Sequence, residues 1–100
     1  MAEVIWAEPA ITDLNTIAEY IALDKPIAAG KFVQKVFDEV ELIGRFPNMG
    51  KVPRELPQTT VYRELVIKPC RIFYRQSEEK VYIVHIMRGE QLLRVKKLDC

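Results

Sequence analysis

An α+β fold is predicted by three features of the 100-residue sequence. Two amphipathic stretches follow one another across only Asp24-Lys25-Pro26, a proline-rich gap comes next, and three runs rich in β-branched and aromatic residues close the chain. The predicted order is a strand, a helical hairpin, a loop, three strands and a tail.

The first strand is the apolar run Val4-Ile5-Trp6, closed by Glu8-Pro9, where proline suits the start of a helix. Over residues 9–23, Ala10, Leu14, Ile17, Ala18 and Ile21 recur at helical spacing, with Asp13, Asn15, Thr16 and Glu19 mostly on the other side. Asp24 is placed to cap a second helix and Pro26 to sit in its first turn. So short a connection implies an antiparallel hairpin. Over residues 27–43 the apolar stripe is Ala29, Phe32, Val33, Val36, Phe37, Val40 and Ile43, and Gly44 is expected to end the helix.

Residues 45–60 hold Pro47, Pro53, Pro57 and Gly50, a composition that disfavours regular structure and predicts one long loop. From Tyr62 to Gln76 two short strands flank a Lys68-Pro69 turn, since proline donates nothing to a ladder. Strand alternation groups Cys70, Ile72 and Tyr74 on one face and Arg71, Phe73 and Arg75 on the other. Ser77-Glu78-Glu79-Lys80 is a polar turn, and residues 81–88, almost continuously apolar, form the central or longest strand. Residues 89–100 receive no assignment.

Hydrophobic residues at 49% and charged residues at 29% fit a soluble single domain spanning 1–100. No apolar run reaches the ~20 residues of a membrane span, and the N-terminus lacks a basic-then-apolar leader, so a cytoplasmic location is expected. Cys70 and Cys100 are expected as thiols, because only a tail folded back onto the sheet would let them pair. The charge is uneven: eight acids face three lysines before Arg45, which is −5, and twelve bases face six acids from Arg45 onward, which is +6. The basic half suits an acidic peptide or a nucleic acid.

One histidine and two cysteines at unrelated positions do not make a metal site, and Ser77, the one serine, sits in a Glu-rich turn without a nucleophile signature. No cofactor is expected. His85 is a candidate for proton transfer, with alternation placing it beside Val81, Ile83 and Met87, although a satisfied, half-buried histidine fits the same pattern. The remaining candidates are cationic: Arg63, Arg71, Arg75 and Arg88 in or beside the sheet, Lys51 and Arg54 in the loop, and Arg94, Lys96 and Lys97 in the tail. Arginine on a strand can hold phosphate or carboxylate bidentately. It is equally at home on a solvated sheet face, and Arg63 and Arg71 can instead pair with Glu64, Glu55 or backbone carbonyls.

Several segments, taken together and in order, resemble the RelE/ParE superfamily of bacterial toxins, most closely its ParE branch, known as plasmid stabilisation proteins. They are residues 9–20, Lys25-Pro26-Ile27-Ala28-Ala29, Phe46-Pro47-Asn48-Met49-Gly50-Lys51, Arg63-Glu64-Leu65 and Arg71-Ile72-Phe73-Tyr74-Arg75. The resemblance implies a helical hairpin on one twisted sheet, with the last three strands as an antiparallel meander. It implies a cognate ParD-like antitoxin partner and one of two targets: DNA gyrase for ParE-like toxins, or messenger RNA in the ribosomal A site for RelE-like ones.

The sequence departs from the RelE pattern, because no Tyr or His follows His85, and this favours a gyrase poison that is not an enzyme. It departs from ParE as well, with Arg88-Gly89-Glu90 where that branch often has His-Gly-Arg. Arg63, Arg71, Phe73, Arg75, Arg88 and Arg94 are the expected antitoxin- or target-binding residues. His85, Arg71 and Arg88 become catalytic candidates only under the alternative, a ribosome-dependent mRNA endonuclease. An inactive antitoxin-binding module is the third reading.

Overall fold

The computed structural model describes residues 2–89. Strand β1 (Glu3–Trp6) hands over at Ala7 to helix α1 (Glu8–Ala22), and helix α2 (Pro26–Arg45) follows after three residues. Strands β2 (Tyr62–Ile67), β3 (Cys70–Ser77) and β4 (Lys80–Arg88) form an antiparallel meander, and β4 is the longest strand. The sheet runs in the order β1-β4-β3-β2, with β1 parallel to β4. That one parallel pair is possible because the hairpin, the loop and two strands lie between its members, giving the chain length to cross over.

Both helices begin where proline leads the first turn, Pro9 in α1 and Pro26 in α2. Pro lacks only an N–H that has no partner at that position anyway. The expected stripes face the sheet: Ala10 and Leu14 from α1 and Phe32, Val36, Val40 and Ile43 from α2 meet Ile67, Cys70, Ile72, Tyr74, Val81, Ile83 and Ile86. Burying an aliphatic side chain of this size stabilises by about 1.5–3 kcal/mol, so this seam carries most of the hairpin's attachment.

Three local expectations are corrected. Asp24 does not cap α2: Lys25 holds that position without a side-chain bond, and the turn closes through backbone bonds from Asp24 and Lys25 to Ile21 O. Gly44 does not end α2, which continues through Arg45. Gly44 is instead where β1 crosses the helix: its carbonyl accepts from Ala2 N at 2.9 Å, and a Cβ there would stand 2.9 Å from Val4 Cγ2. A glycine needed for close approach looks in sequence like a terminator. Phe37, assigned to the core stripe, is 48% exposed and sets its ring 5.5 Å from that of Trp6 at the stripe's edge.

The turns follow their chemistry. Lys68 and Pro69 make a two-residue connection between paired Ile67 and Cys70, with a cis peptide before Pro69. Glu78 and Glu79 connect paired Ser77 and Lys80, with Glu78 at φ 58°. Cys70 is buried in the core, whereas Cys100 lies outside the described residues.

Candidate functional site

The helices cover one face of the sheet, and the loop 46–60 folds over part of the other. Alternation sends Phe73 to that second face, where it is buried with Met87 and packed by Leu56, Tyr62 and Val84. The loop is held there by Arg71. Its Nε donates to Glu64 Oε2 at 2.5 Å, and its two terminal nitrogens fork onto Glu55 at 2.8 and 2.6 Å. Arg71 is 3% exposed and Glu64 2%. The Glu55 hydrogen bonds hold the guanidinium above its ordinary pKa; burial opposes this and Glu64 adds to it, so Arg71 stays cationic at every working pH. Its guanidinium also lies 4.8 Å from the centre of the Phe73 ring.

A second fastening comes from the helix-facing side. Tyr74, fully buried, accepts from Gly50 N at 2.8 Å and donates to Pro47 O at 2.8 Å. Arg63 donates to Gly50 O at 2.8 Å, and Lys51 exchanges two backbone bonds with Glu64. The loop therefore contains one ladder pair, more order than its prolines suggest, because Gly50 lets the chain press against β2. Burial pushes the Tyr74 phenol above its usual pKa of 10.0 despite the Gly50 N–H and the Arg63 charge. The neutral phenol is the form the fold selects. Its contribution is complete below the unfolded pKa near 10 and is lost as pH rises through the folded value. Tyr74→Phe is expected to cost about 1–3 kcal/mol at neutral pH by stranding two buried backbone groups, and to lose less stability than wild type above pH ~10. Urea unfolding at pH 7 and pH 11 checks both.

In β4 the register slips between Phe73 and Tyr74: Tyr74 pairs with Ile83 and Phe73 with His85, leaving Val84 as the extra residue. This bulge corrects the simple alternation. Val81, Ile83 and Ile86 join the helix-facing core, while Met87 falls in the opposite cluster. Asp13, expected on the outer side of α1, is half-buried over the bulge. Its Oδ2 accepts from Ile86 N at 3.0 Å and lies 2.9 Å from His85 Nδ1. His85 is itself buried. Asp13 is three residues from Ala10 and four from Ile17, so helical spacing already put it at the rim of the buried stripe.

Beside Asp13 a groove of about 360 Å³ opens between α1 and the end of β4, lined by Thr16, Ile17, Tyr20, Ile86 and Arg88 among others. Arg88 lies over the Tyr20 ring at 5.5 Å. On the other face Arg75, paired across the ladders with Tyr62 and Tyr82, lies 4.4 Å over the Tyr82 ring. The expected binding residues thus do not gather into one cluster. Arg71 and Phe73 are interior and Arg63 fastens the loop. Arg75 and Arg88 are half-exposed at separate places, and Arg94 lies outside the described residues. Among the described residues no helix is long and apolar enough to cross a membrane.

Helical hairpin, four-stranded sheet and clamped loop define a small toxin of the antitoxin-controlled kind rather than a metal- or cofactor-centred enzyme. The chain belongs to the ParE toxin family of type II toxin–antitoxin systems (parDE), whose profile matches residues 4–93. It is 29% identical over 93 residues to toxin RelE2 of Caulobacter vibrioides, covering 92% of this chain and all of that one. A solved structure from the chromosomal ParDE system of P. aeruginosa superposes with a TM-score of 0.76 at 26% identity, covering 90% of this chain and 98% of that one. Membership of such a system implies an antitoxin partner.

Proposed function

We propose that this single-domain toxin acts in the cytoplasm by binding DNA gyrase, and that a ParD-like antitoxin neutralises it. The observation that carries the reading is the state of its proton-transfer candidates. The only histidine of the chain, His85, is buried against Asp13, and Arg71 is engaged by two carboxylates. A placed general acid or base is worth typically 10²–10⁴-fold each in rate, so a chain without an available pair is a poor nuclease. A poison that acts by binding needs only differential affinity for one state of its target.

Messenger-RNA cleavage on the ribosome is the second reading, favoured by the likeness to toxin RelE2. The test adds purified protein to a programmed ribosome, where the mRNA is expected to remain intact. Cutting by the wild type that disappears in His85→Ala would assign the chain to the nuclease branch.

Antitoxin contact is expected at Arg75 and Arg88, the half-exposed arginines of the sheet, through acidic side chains of an antitoxin segment that orders on binding. The double variant Arg75→Glu, Arg88→Glu is expected to weaken the complex about tenfold or more, measured by calorimetry. Unchanged affinity would remove these residues from the interface.

A further inference from the structure

The acidic half of the chain contains only three bases, Lys25, Lys31 and Lys35, and two of them converge with a lysine from the far side of the loop. Lys31 and Lys35 stand one turn apart on α2, facing Lys68 in the β2–β3 turn. Between them lies an open groove of about 370 Å³, whose other lining residues are Ile21, Ala28, Phe32 and Pro69. All three lysines are exposed, and among the described residues none has an acidic partner. No acid lines the groove. The nearest in the hairpin turn, Asp24, belongs to an adjoining depression with Tyr20, Leu23 and Lys25.

Like charges at i,i+4 on a helix disfavour folding, and here no acid of the chain offsets the Lys31–Lys35 pair. A positive rim around an apolar floor has a definite complement: a segment carrying carboxylates on either side of an apolar side chain. Duplex DNA offers phosphates but no apolar group for the floor formed by Phe32, Ile21 and Pro69. Leu23, 85% exposed in the adjoining depression, extends the apolar strip toward the hairpin turn.

We propose that the Lys31–Lys35–Lys68 groove is a docking site for an acidic, amphipathic segment of the antitoxin; this rests on the antitoxin partnership described above. The site is separate from the α1–β4 groove at Arg88. Its lysines supply orientation and attraction, and its floor takes one apolar anchor.

The test uses full-length antitoxin recovered from the co-expressed complex and the toxin variant Lys31→Glu, Lys35→Glu, Lys68→Glu, with Lys51→Glu and Lys80→Glu as surface controls. Circular dichroism establishes that each variant is folded. The triple variant is expected to raise the dissociation constant roughly tenfold or more and to flatten its dependence on salt, while the controls leave both unchanged. Wild-type binding matched by the triple variant would overturn the site and leave the antitoxin partnership standing. Failure of wild type to bind the antitoxin would overturn both. A 20-base-pair duplex probe that binds the wild type and not the triple variant, with antitoxin affinity unchanged, would replace the acidic segment by nucleic acid and also overturn the proposal.

Discussion

Replacing Arg71 by leucine is expected to destabilise the protein by about 3–5 kcal/mol, the largest single effect outside the main core. The cause is what remains behind. Glu64 is 2% exposed and loses its bond from Arg71 Nε, while Glu55 loses both arms of the fork that brings the loop onto the sheet. An uncompensated buried carboxylate is far costlier than the pair is stabilising, so the loss measures the stranded charge. Arg71→Lys keeps the charge but cannot form a fork and a third bond at once, so it should recover only part of the loss. Adding Glu64→Gln and Glu55→Gln to Arg71→Leu should restore stability relative to the single variant, since the stranded groups become neutral. Urea unfolding at pH 7 reads all of these, and a loss below about 1 kcal/mol in Arg71→Leu would refute the buried-clamp account.

Gly50→Ala is the second large effect. A Cβ at Gly50 would stand 2.6 Å from Tyr74 Oη, 2.7 Å from Glu64 O and 2.9 Å from Tyr74 Cε1. The tyrosine is in the core and the Glu64 oxygen is strand backbone, so neither can yield and the loop must lift. Lifting it loses the Gly50–Tyr74 and Lys51–Glu64 bonds together with the fit. The combined cost is roughly 2–4 kcal/mol. Gly30→Ala is the internal comparison. Nothing lies within 4 Å of its Cβ position, and it sits inside α2, so alanine there should stabilise by about 0.5–1 kcal/mol. Thermal and urea unfolding of the two variants should therefore move in opposite directions.

These two positions bear on function because they set the shape of the sheet's second face. Arg71 and Gly50 act from opposite sides of β3 to hold one loop. Leu56 on that loop covers Phe73 and Met87, while Arg75 and Tyr82 remain half-exposed. Variants that release the loop should therefore alter partner binding without removing a contact residue, whereas Arg75 and Arg88 variants should alter binding without altering stability.

The elements themselves were legible because helical and strand periodicities survive in this sequence almost without interruption. Helices over 8–22 and 26–45 fall within a few residues of the predicted stretches, and the three late strands lie where β-branched and aromatic runs placed them. What was hidden depended on a neighbour distant in sequence. Gly44 is kept small by Val4, Asp13 is drawn inward by the Ile86 amide and His85, and Val84 is displaced by a one-residue slip against β3. The pairing of Arg71 with Glu64 and Glu55 stood among the readings of that arginine, but its burial did not, because alternation assigns a face without saying what covers it. The lysine groove was invisible for the same reason: Lys31 and Lys35 read as a solvated helix face until the β2–β3 turn brings Lys68 opposite them.

The most direct measurement of the central claim is a supercoiling reaction with purified gyrase and relaxed plasmid, titrated with toxin in the presence and absence of antitoxin. Binding-mode poisoning predicts that toxin alone stops the conversion to supercoiled DNA, that stoichiometric antitoxin restores it, and that His85→Ala inhibits as well as wild type. Undisturbed supercoiling at every toxin concentration, from a sample whose antitoxin binding shows it to be folded, would contradict it.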